Sequence, residues 1–409
     1  MQKLSILIKL YILILLALLS TSCANRTVKP ACNCDDNTPT VAVIEAQKNT
    51  ESIKPNESKI AEYSLLKPIS WRSTEILLDD NTVEAWGAWL QSCQGLKNKP
   101  KWQAVCQTAS AINQPNDADV NRYFVQNFDV FQASNVDGSE TGLITGYYVP
   151  KMRGSRTKTA QFLQPVYREP TDLITVELSE LYPDLKYKRV RGKLQGNKLV
   201  PYLQRADIDS ANTPLAGNEI AWVADAVELF FLQIQGSGII ELENGQQLPI
   251  GYANQNGHAY NSIGKILIER GGLTRDQASM QGIKNWALKN PQKLQELLNT
   301  NPSYVFFREL PAGLPGPLGA LGVPITAERS VAIDPKFVPL GAPIFLSTTE
   351  PNSNKPLQRL MMAQDTGGAI KGGVRADFYW GAGDVAGAKA GSMKQAGKVW
   401  VLLPKGFFN

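Results

Sequence analysis

"AQDTGGAIKGGVRADFYWG", residues 363–381, sets two aspartates twelve positions apart, with four glycines, a lysine and an arginine between them. Asp365 in "AQDTGG", Asp377 in "VRADFYWG" and Asp334 in "SVAIDPKFVPLGAPIFL" each end or adjoin a strand-like run. The glycines let backbones approach closely, so the three acids are expected to converge in one barrel of short strands. An aspartate beside Pro or Gly often only shapes a turn, and Asp334 reads equally well that way. Asp377 differs. It stands inside "ADFYW", where Asp has poor strand propensity and needs a reason. Three aromatics follow it, and apolar surroundings raise a carboxyl pKa and keep the group protonated, whereas Lys371 or Arg375 would pull another carboxyl down. One acid held protonated is what cleavage of a glycosidic bond requires.

The rest of the chain sets the frame. At 409 residues, with 43% hydrophobic and 19% charged, it is long enough for about two globular domains. The formal charge of +5 is spread rather than clustered, so no nucleic-acid footprint is expected. Lys3 and Lys9 precede an apolar run, "LYILILLALL" (10–19), too short to span a bilayer as a mature helix, and "STSC" then ends at Cys23. Residues 1–23 thus read as a signal peptide of lipoprotein type with Cys23 as the acylated residue, although Ser20 stands where that pattern has an aliphatic. Ala24 in place of Asp implies the outer membrane. Export makes a disulfide between Cys93 and Cys106 expected, because the periplasm is oxidising. Cys32 and Cys34 form a lone C-x-C without nearby histidine and carry no metal reading.

Residues 24–65 have the polar composition of a tether that buries too little apolar surface to fold. "DNTVEAWGAWLQSC", "KWQAVCQTASAIN" and "DADVNRYFVQNFDVF" carry apolar residues at helical spacing behind Asn or Asp caps, giving three helices to about residue 132. "GLITGYYVP" and "VELFFLQIQGSGIIELENGQQLPIGY" read as strands, with a hairpin at Asn244-Gly245. Helices return from Asn261, two of them split at Pro291, and short strands follow Ser303. The expectation is a mainly β protein with flanking helices, a β-rich segment inserted at about 146–258, a second β domain at the C-terminus, and a cleft between them for an elongated ligand.

Other chemistries fall away. The single histidine, His258, excludes a multi-histidine metal cluster, and no G-x-S-x-G supplies a triad nucleophile. His258 reads as a residue that caps or packs at a loop-to-helix junction. "GGAIKGG" lacks the Lys-Ser/Thr ending of a phosphate loop. "DTG" occurs once, so an aspartic-protease dyad would require a homodimer. Metal and cofactor are both expected to be absent.

"TGYYVP" (145–150), "FFLQIQGSG" (230–238), "NGHAYNSIGKILIERG" (256–271), "NPSYVFFRE" (301–309), "AQDTGGAIKGG" and "ADFYWG" resemble, in order and spacing, the membrane-bound lytic murein transglycosylase A family. The likeness runs from about residue 120 to the end. The three aspartates also resemble the three-aspartate domain of other cell-wall enzymes. This resemblance implies a discontinuous double-psi β-barrel catalytic domain (66–145 and 259–409), an inserted β domain (146–258) and a glycan groove between them. It implies cleavage of the β-1,4 bond between N-acetylmuramic acid and N-acetylglucosamine without water, leaving a 1,6-anhydromuramic end. Asp377 falls on the catalytic position. Chemically, one acid suffices if its carboxylate later takes the proton of the muramyl C6 hydroxyl, an attacking group already within the substrate.

Asp365 is expected to assist Asp377, with Asp334 and Lys371 in support. Gly146, Tyr147, Gln235, Ser237 and Gly238 are candidates for substrate contact, since glycine bares backbone, amide and hydroxyl groups match sugar hydroxyls, and tyrosine stacks on a pyranose. Tyr148 and Tyr252 read more readily as core, and Lys265 and Arg308 either meet muramyl or peptide carboxylates or stay solvated. The implied partners are peptidoglycan strands, the outer membrane through a lipid anchor from the periplasmic side, and cell-wall synthesis proteins. A peptidoglycan hydrolase and a noncatalytic peptidoglycan-binding lipoprotein are the alternatives.

Overall fold

A computed structural model of the chain describes residues 60–73 and 80–409. The signal segment, Cys23, Cys32, Cys34 and the tether up to residue 59 lie outside the described residues. The packed chain begins before Leu66, because the Tyr63 amide donates to the Lys336 carbonyl at 3.1 Å and the Tyr63 ring meets Phe407 edge-on.

The chain runs through β1 (Leu66–Ile69), α1 (Trp86–Leu96), α2 (Pro100–Ser110), α3 (Asp117–Asn127), β2 (Phe128–Ala133) and β3 (Gly142–Val149). Asn116 caps α3 in a capping box with Asp119. The third helix stops at Asn127 rather than 132, because "FDVFQA" pairs with β1 as a strand. Cys93 and Cys106 form a disulfide that joins α1 to α2. After Pro150 come β4 (Lys151–Ser155), β5 (Gln164–Tyr167), β6 (Ile174–Thr175), β7 (Arg191–Gln195), β8 (Lys198–Pro201), α4 (Arg205–Ile208), β9 (Glu219–Val223), α5 (Ala226–Gln235), β10 (Ser237–Leu242) and β11 (Gln247–Gln255). Then follow α6 (Ile263–Glu269), α7 (Met280–Lys289), α8 (Pro291–Asn299), β12 (Val305–Glu309), β13 (Ser330–Ile333), β14 (Pro343–Thr349), β15 (Pro356–Thr366), β16 (Ala376–Ala382), α9 (Asp384–Ser392) and β17 (Lys394–Pro404).

Six strands close a barrel in the order β17-β14-β15-β13-β16-β3, the last pairing back to the first, with β1 and β2 extending from β17. Two of its pairings, β13 with β15 and β16 with β3, are parallel. Fully buried Phe345 and Phe378 fill its interior, and Trp89, Phe124 and Phe128 pack the N-terminal helices onto it. A second sheet has the order β12-β11-β10-β4-β9-β5, with an isolated bridge from Arg168 to Phe307 joining its ends. It takes in β12, so the inserted strands extend to Glu309, past the expected limit of 258. β6, β7 and β8 form a separate three-stranded arm.

One expected strand is a helix. "AVELFFLQIQ" folds as α5, with the Asp225 carboxylate accepting from the Val227 and Glu228 amides and left-handed Gly236 (φ 77°) ending it. Its residues feed two separate apolar clusters, so no polar face interrupts the run and the helical period is invisible.

Candidate active site

Register brings the acids together. Ala332 on β13 pairs with Asp365 on one side and with Asp377 on the other, and Asp377 in turn pairs with Thr145 on β3. Directly paired residues point to the same face of a sheet, so Asp365, Ala332, Asp377 and Thr145 form one row across the outside of the barrel. Two inter-strand spacings put the backbones of the two aspartates about 10 Å apart. The pleat also sorts the aromatics. Phe378 and Trp380 join the barrel core, and only Tyr379 shares the outer face with Asp377.

Thr145 Oγ1 donates to Asp377 Oδ1 at 2.5 Å. Arg375 Nη2 donates to Thr145 Oγ1 at 2.9 Å, and since a guanidinium only donates, it directs the threonine hydroxyl toward the carboxyl. Oδ2 of Asp377 is left to carry a proton. Burial pushes the Asp377 carboxyl up to about 6, with the Thr145 hydrogen bond and the Arg375 charge opposing and the Asp365 charge assisting. Thr145 was not singled out from sequence; its role follows from a parallel pairing across 232 residues.

Asp365 is held differently. Its Oδ1 accepts from the Ala320 and Thr366 amides at 3.0 and 2.9 Å, and its Oδ2 accepts from the Tyr147 hydroxyl at 3.0 Å. Burial still raises its pKa, against those three bonds. Tyr147 is only 8% exposed and lies against Tyr379 with ring centroids 5.1 Å apart, so its hydroxyl serves Asp365. Asp334 sits apart from this row. Its carboxylate accepts from the Gly372 amide at 3.0 Å and lies 3.8 Å from Lys371 Nζ, which fastens the glycine loop.

A cavity of about 490 Å³ lies between the barrel and the second sheet, lined by Asp365, Gln235, Ser237, Tyr252, Arg189 and Arg308 among others. Tyr252 therefore faces the cleft rather than the core. A second cavity of about 210 Å³ is lined by Gly146, Tyr148, Tyr260 and the α9 residues Gly387 and Ala390. Both share Ile234 and Gln235, so the two cavities adjoin along one trench, whose lining includes Asp365 but not Asp377. Gln235 is fixed there by accepting the Tyr148 amide at 3.1 Å. An apolar cavity of about 380 Å³ behind the loop 310–317 is lined by no acid and lies off this row.

The two candidate glycines serve packing. A Cβ on Gly146 would come 2.7 Å from Trp380 Nε1, and one on Gly238 would come 2.4 Å from Leu232. His258 donates its ring Nε2–H to the Tyr202 carbonyl at 2.8 Å, a loop fastening. Lys265 pairs with Glu269 at 3.6 Å on the surface and lines neither cavity. Among the described residues, no helix is long and apolar enough to cross a membrane.

Comparisons with known proteins follow the two halves of this arrangement. Residues 143–308 match the model of the MltA specific insert domain, and residues 329–403 match the 3D domain. A barrel of the second kind carrying an insert of the first defines the class. Membrane-bound lytic murein transglycosylase A of Escherichia coli (strain K12) is 34% identical over 282 residues, 67% of this chain and 69% of the relative. The crystal structure of MltA from Neisseria gonorrhoeae, monoclinic form, is 37% identical, with a TM-score of 0.72 over 83% of this chain and 93% of that one. E. coli MltA with bound chitohexaose is 27% identical, with a TM-score of 0.59 over 85% of this chain and 97% of that one. The chain belongs to the membrane-bound lytic murein transglycosylase A family.

Proposed function

We propose that this protein cleaves the β-1,4 bond between N-acetylmuramic acid and N-acetylglucosamine in peptidoglycan as a lytic transglycosylase, with Asp377 as its single acid and base. Asp377 Oδ2–H protonates the glycosidic oxygen as the bond to the muramyl anomeric carbon breaks. The C6 hydroxyl oxygen of the same muramyl residue then attacks that carbon, and the Asp377 carboxylate takes its proton. One bond breaks, one forms, and the acid is regenerated with no water consumed. The ring closure is intramolecular and needs no second carboxylate to activate a nucleophile.

The observation that carries this reading is the contrast between the two acids. Asp377 has one oxygen held by Thr145 and a pKa raised to about 6. Asp365 has three donors on its two oxygens, which leaves it little capacity to hold and deprotonate a water. We assign Asp365, with Tyr147, to electrostatic support, and Asp334 with Lys371 to the loop beneath it. Chitohexaose bound to the E. coli relative supports a β-1,4 glycan as occupant of the trench. The relatives' membrane-bound name supports the same association here, through acylation of Cys23 at the periplasmic face of the outer membrane. Digestion of murein sacculi by residues 24–409, followed by mass spectrometry, is expected to give anhydromuropeptides, and Asp377→Asn to give none while still binding. Reducing-end muropeptides would overturn the mechanism.

A further inference from the structure

The arm carries an arginine to the edge of the trench, where its charge acts on Asp365 but its guanidinium has no hydrogen bond or ion pair among the described residues. Lys186 Nζ lies 2.5 Å from the Glu62 carboxylate, so the arm is tied to the chain just before β1. Two residues past Arg189, Arg191 Nε donates to Asn254 Oδ1 at 2.8 Å, tying the arm to the second sheet. Arg189 stands between these fastenings. It is exposed, lines the 490 Å³ cavity, and reaches the glycine loop opposite, where a Cβ on Gly368 would lie 3.1 Å from its Nη1. Arg308 on β12 is exposed in the same cavity. Neither guanidinium has a hydrogen bond or ion pair among the described residues. The only carboxylate in that lining is Asp365, whose oxygens are already occupied by Tyr147, Ala320 and Thr366.

Two guanidiniums lining one cavity with no ion pair among the described residues are out of proportion to a neutral sugar chain, whose hydroxyl and acetamido groups need no cation. They match carboxylate, which the planar fork takes in a bidentate manner. We propose that Arg189 and Arg308 form a carboxylate-recognition site at the Asp365 end of the trench, which selects glycan bearing acidic substituents over neutral glycan. The inference rests on the peptidoglycan reading above. In such a strand the carboxylate is either that of the lactyl ether itself, where the peptide is absent, or one on the peptide stem. Arg189 is a specificity residue here, since it lies on the arm and outside the row of Asp377.

The test is binding in an Asp377→Asn background, with Arg189→Gln, Arg308→Gln and the double variant compared with that parent. Three probes are titrated: chitohexaose, soluble glycan strands with intact peptide stems, and the same strands after an amidase has removed the stems. The double variant is expected to lose at least tenfold in Kd for strands and to bind chitohexaose within twofold of the parent, which also shows that it is folded. Loss confined to stem-bearing strands assigns the site to peptide carboxylate, loss confined to stem-free strands assigns it to the lactyl carboxylate, which the peptide amide masks in the intact strand, and loss on both shows that it takes either. In either case added salt weakens the parent's binding to strands more than the variant's. Unchanged strand affinity, or equal loss on chitohexaose, overturns the proposal. A parent that binds chitohexaose but neither strand overturns the peptidoglycan reading itself.

Discussion

Asp377→Asn is expected to stabilise the protein while removing its turnover. A folded-state pKa of about 6, against an ordinary value of 3.8, means that the folded protein holds a proton that the unfolded chain releases. Between those two values the folded state binds more protons, so stability falls as pH rises from about 4 through about 6, and the full penalty persists above that. A shift of about 2 units corresponds to roughly 3 kcal/mol at pH 7 as an upper bound. Asparagine keeps an oxygen for the Thr145 hydroxyl and carries no charge, so it escapes the penalty. For a folded part of roughly 340 residues, unfolding entropy of about 2 cal/mol/K per residue converts that gain to a Tm about 4 °C higher. Differential scanning calorimetry of parent and variant from pH 4 to pH 8 reads it directly. The two should coincide near pH 4 and diverge above pH 6. A variant equal to or less stable than the parent at pH 7, or a gap independent of pH, would refute the claim that desolvation of Asp377 is relieved.

The same pKa governs turnover: kcat/KM on murein should fall about tenfold per pH unit above pH 6, as the fraction of protonated Asp377 declines. Thr145→Val removes the hydrogen bond that lowers the Asp377 pKa, so that limb of the pH profile should move upward and kcat should drop. Tyr147→Phe strips Asp365 Oδ2 of its donor and should destabilise by about 1–3 kcal/mol, read by urea denaturation. Gly146→Ala forces a Cβ to within 2.7 Å of Trp380 Nε1 and should lower stability by about 1–3 kcal/mol through overpacking. Replacing Cys93 and Cys106 by serine should lower the Tm by an amount matching about 3 kcal/mol, with turnover retained at 25 °C, because the disulfide lies among the N-terminal helices and away from the trench.

Much of this was legible because the signals are local. Helical spacing marked α1, α2 and α3, although of the expected Asn or Asp caps only Asn116 of α3 forms, α1 and α2 starting behind Ala85 and Lys99 without a side-chain cap. Pro291 marked the break between α7 and α8, where it opens the second helix. The inequality of the two aspartates was also readable, since an acid inside a strand needs a reason. The cause was only partly so. The pleat turns Phe378 and Trp380 into the barrel, and the row that isolates Asp377 is made by Ala332 and Thr145, which sit 45 and 232 residues away in sequence. Nothing local in "TGYYVP" separates the threonine that holds the acid from the tyrosine that holds its neighbour. Helix α5 failed for a different reason, because a helix buried between two apolar clusters loses the polar stripe that would reveal its period. Its Asp225 and Gly236 caps were the available signal. The inserted sheet was cut short at residue 258 because β12 returns to it after three intervening helices, a pairing set by tertiary contact alone.

The claim that Asp377 works without activating water is tested most directly by digesting murein sacculi in water enriched with heavy oxygen. The account predicts muropeptides with anhydro ends and no heavy oxygen at the muramyl anomeric carbon, and heavy oxygen at that carbon would contradict it.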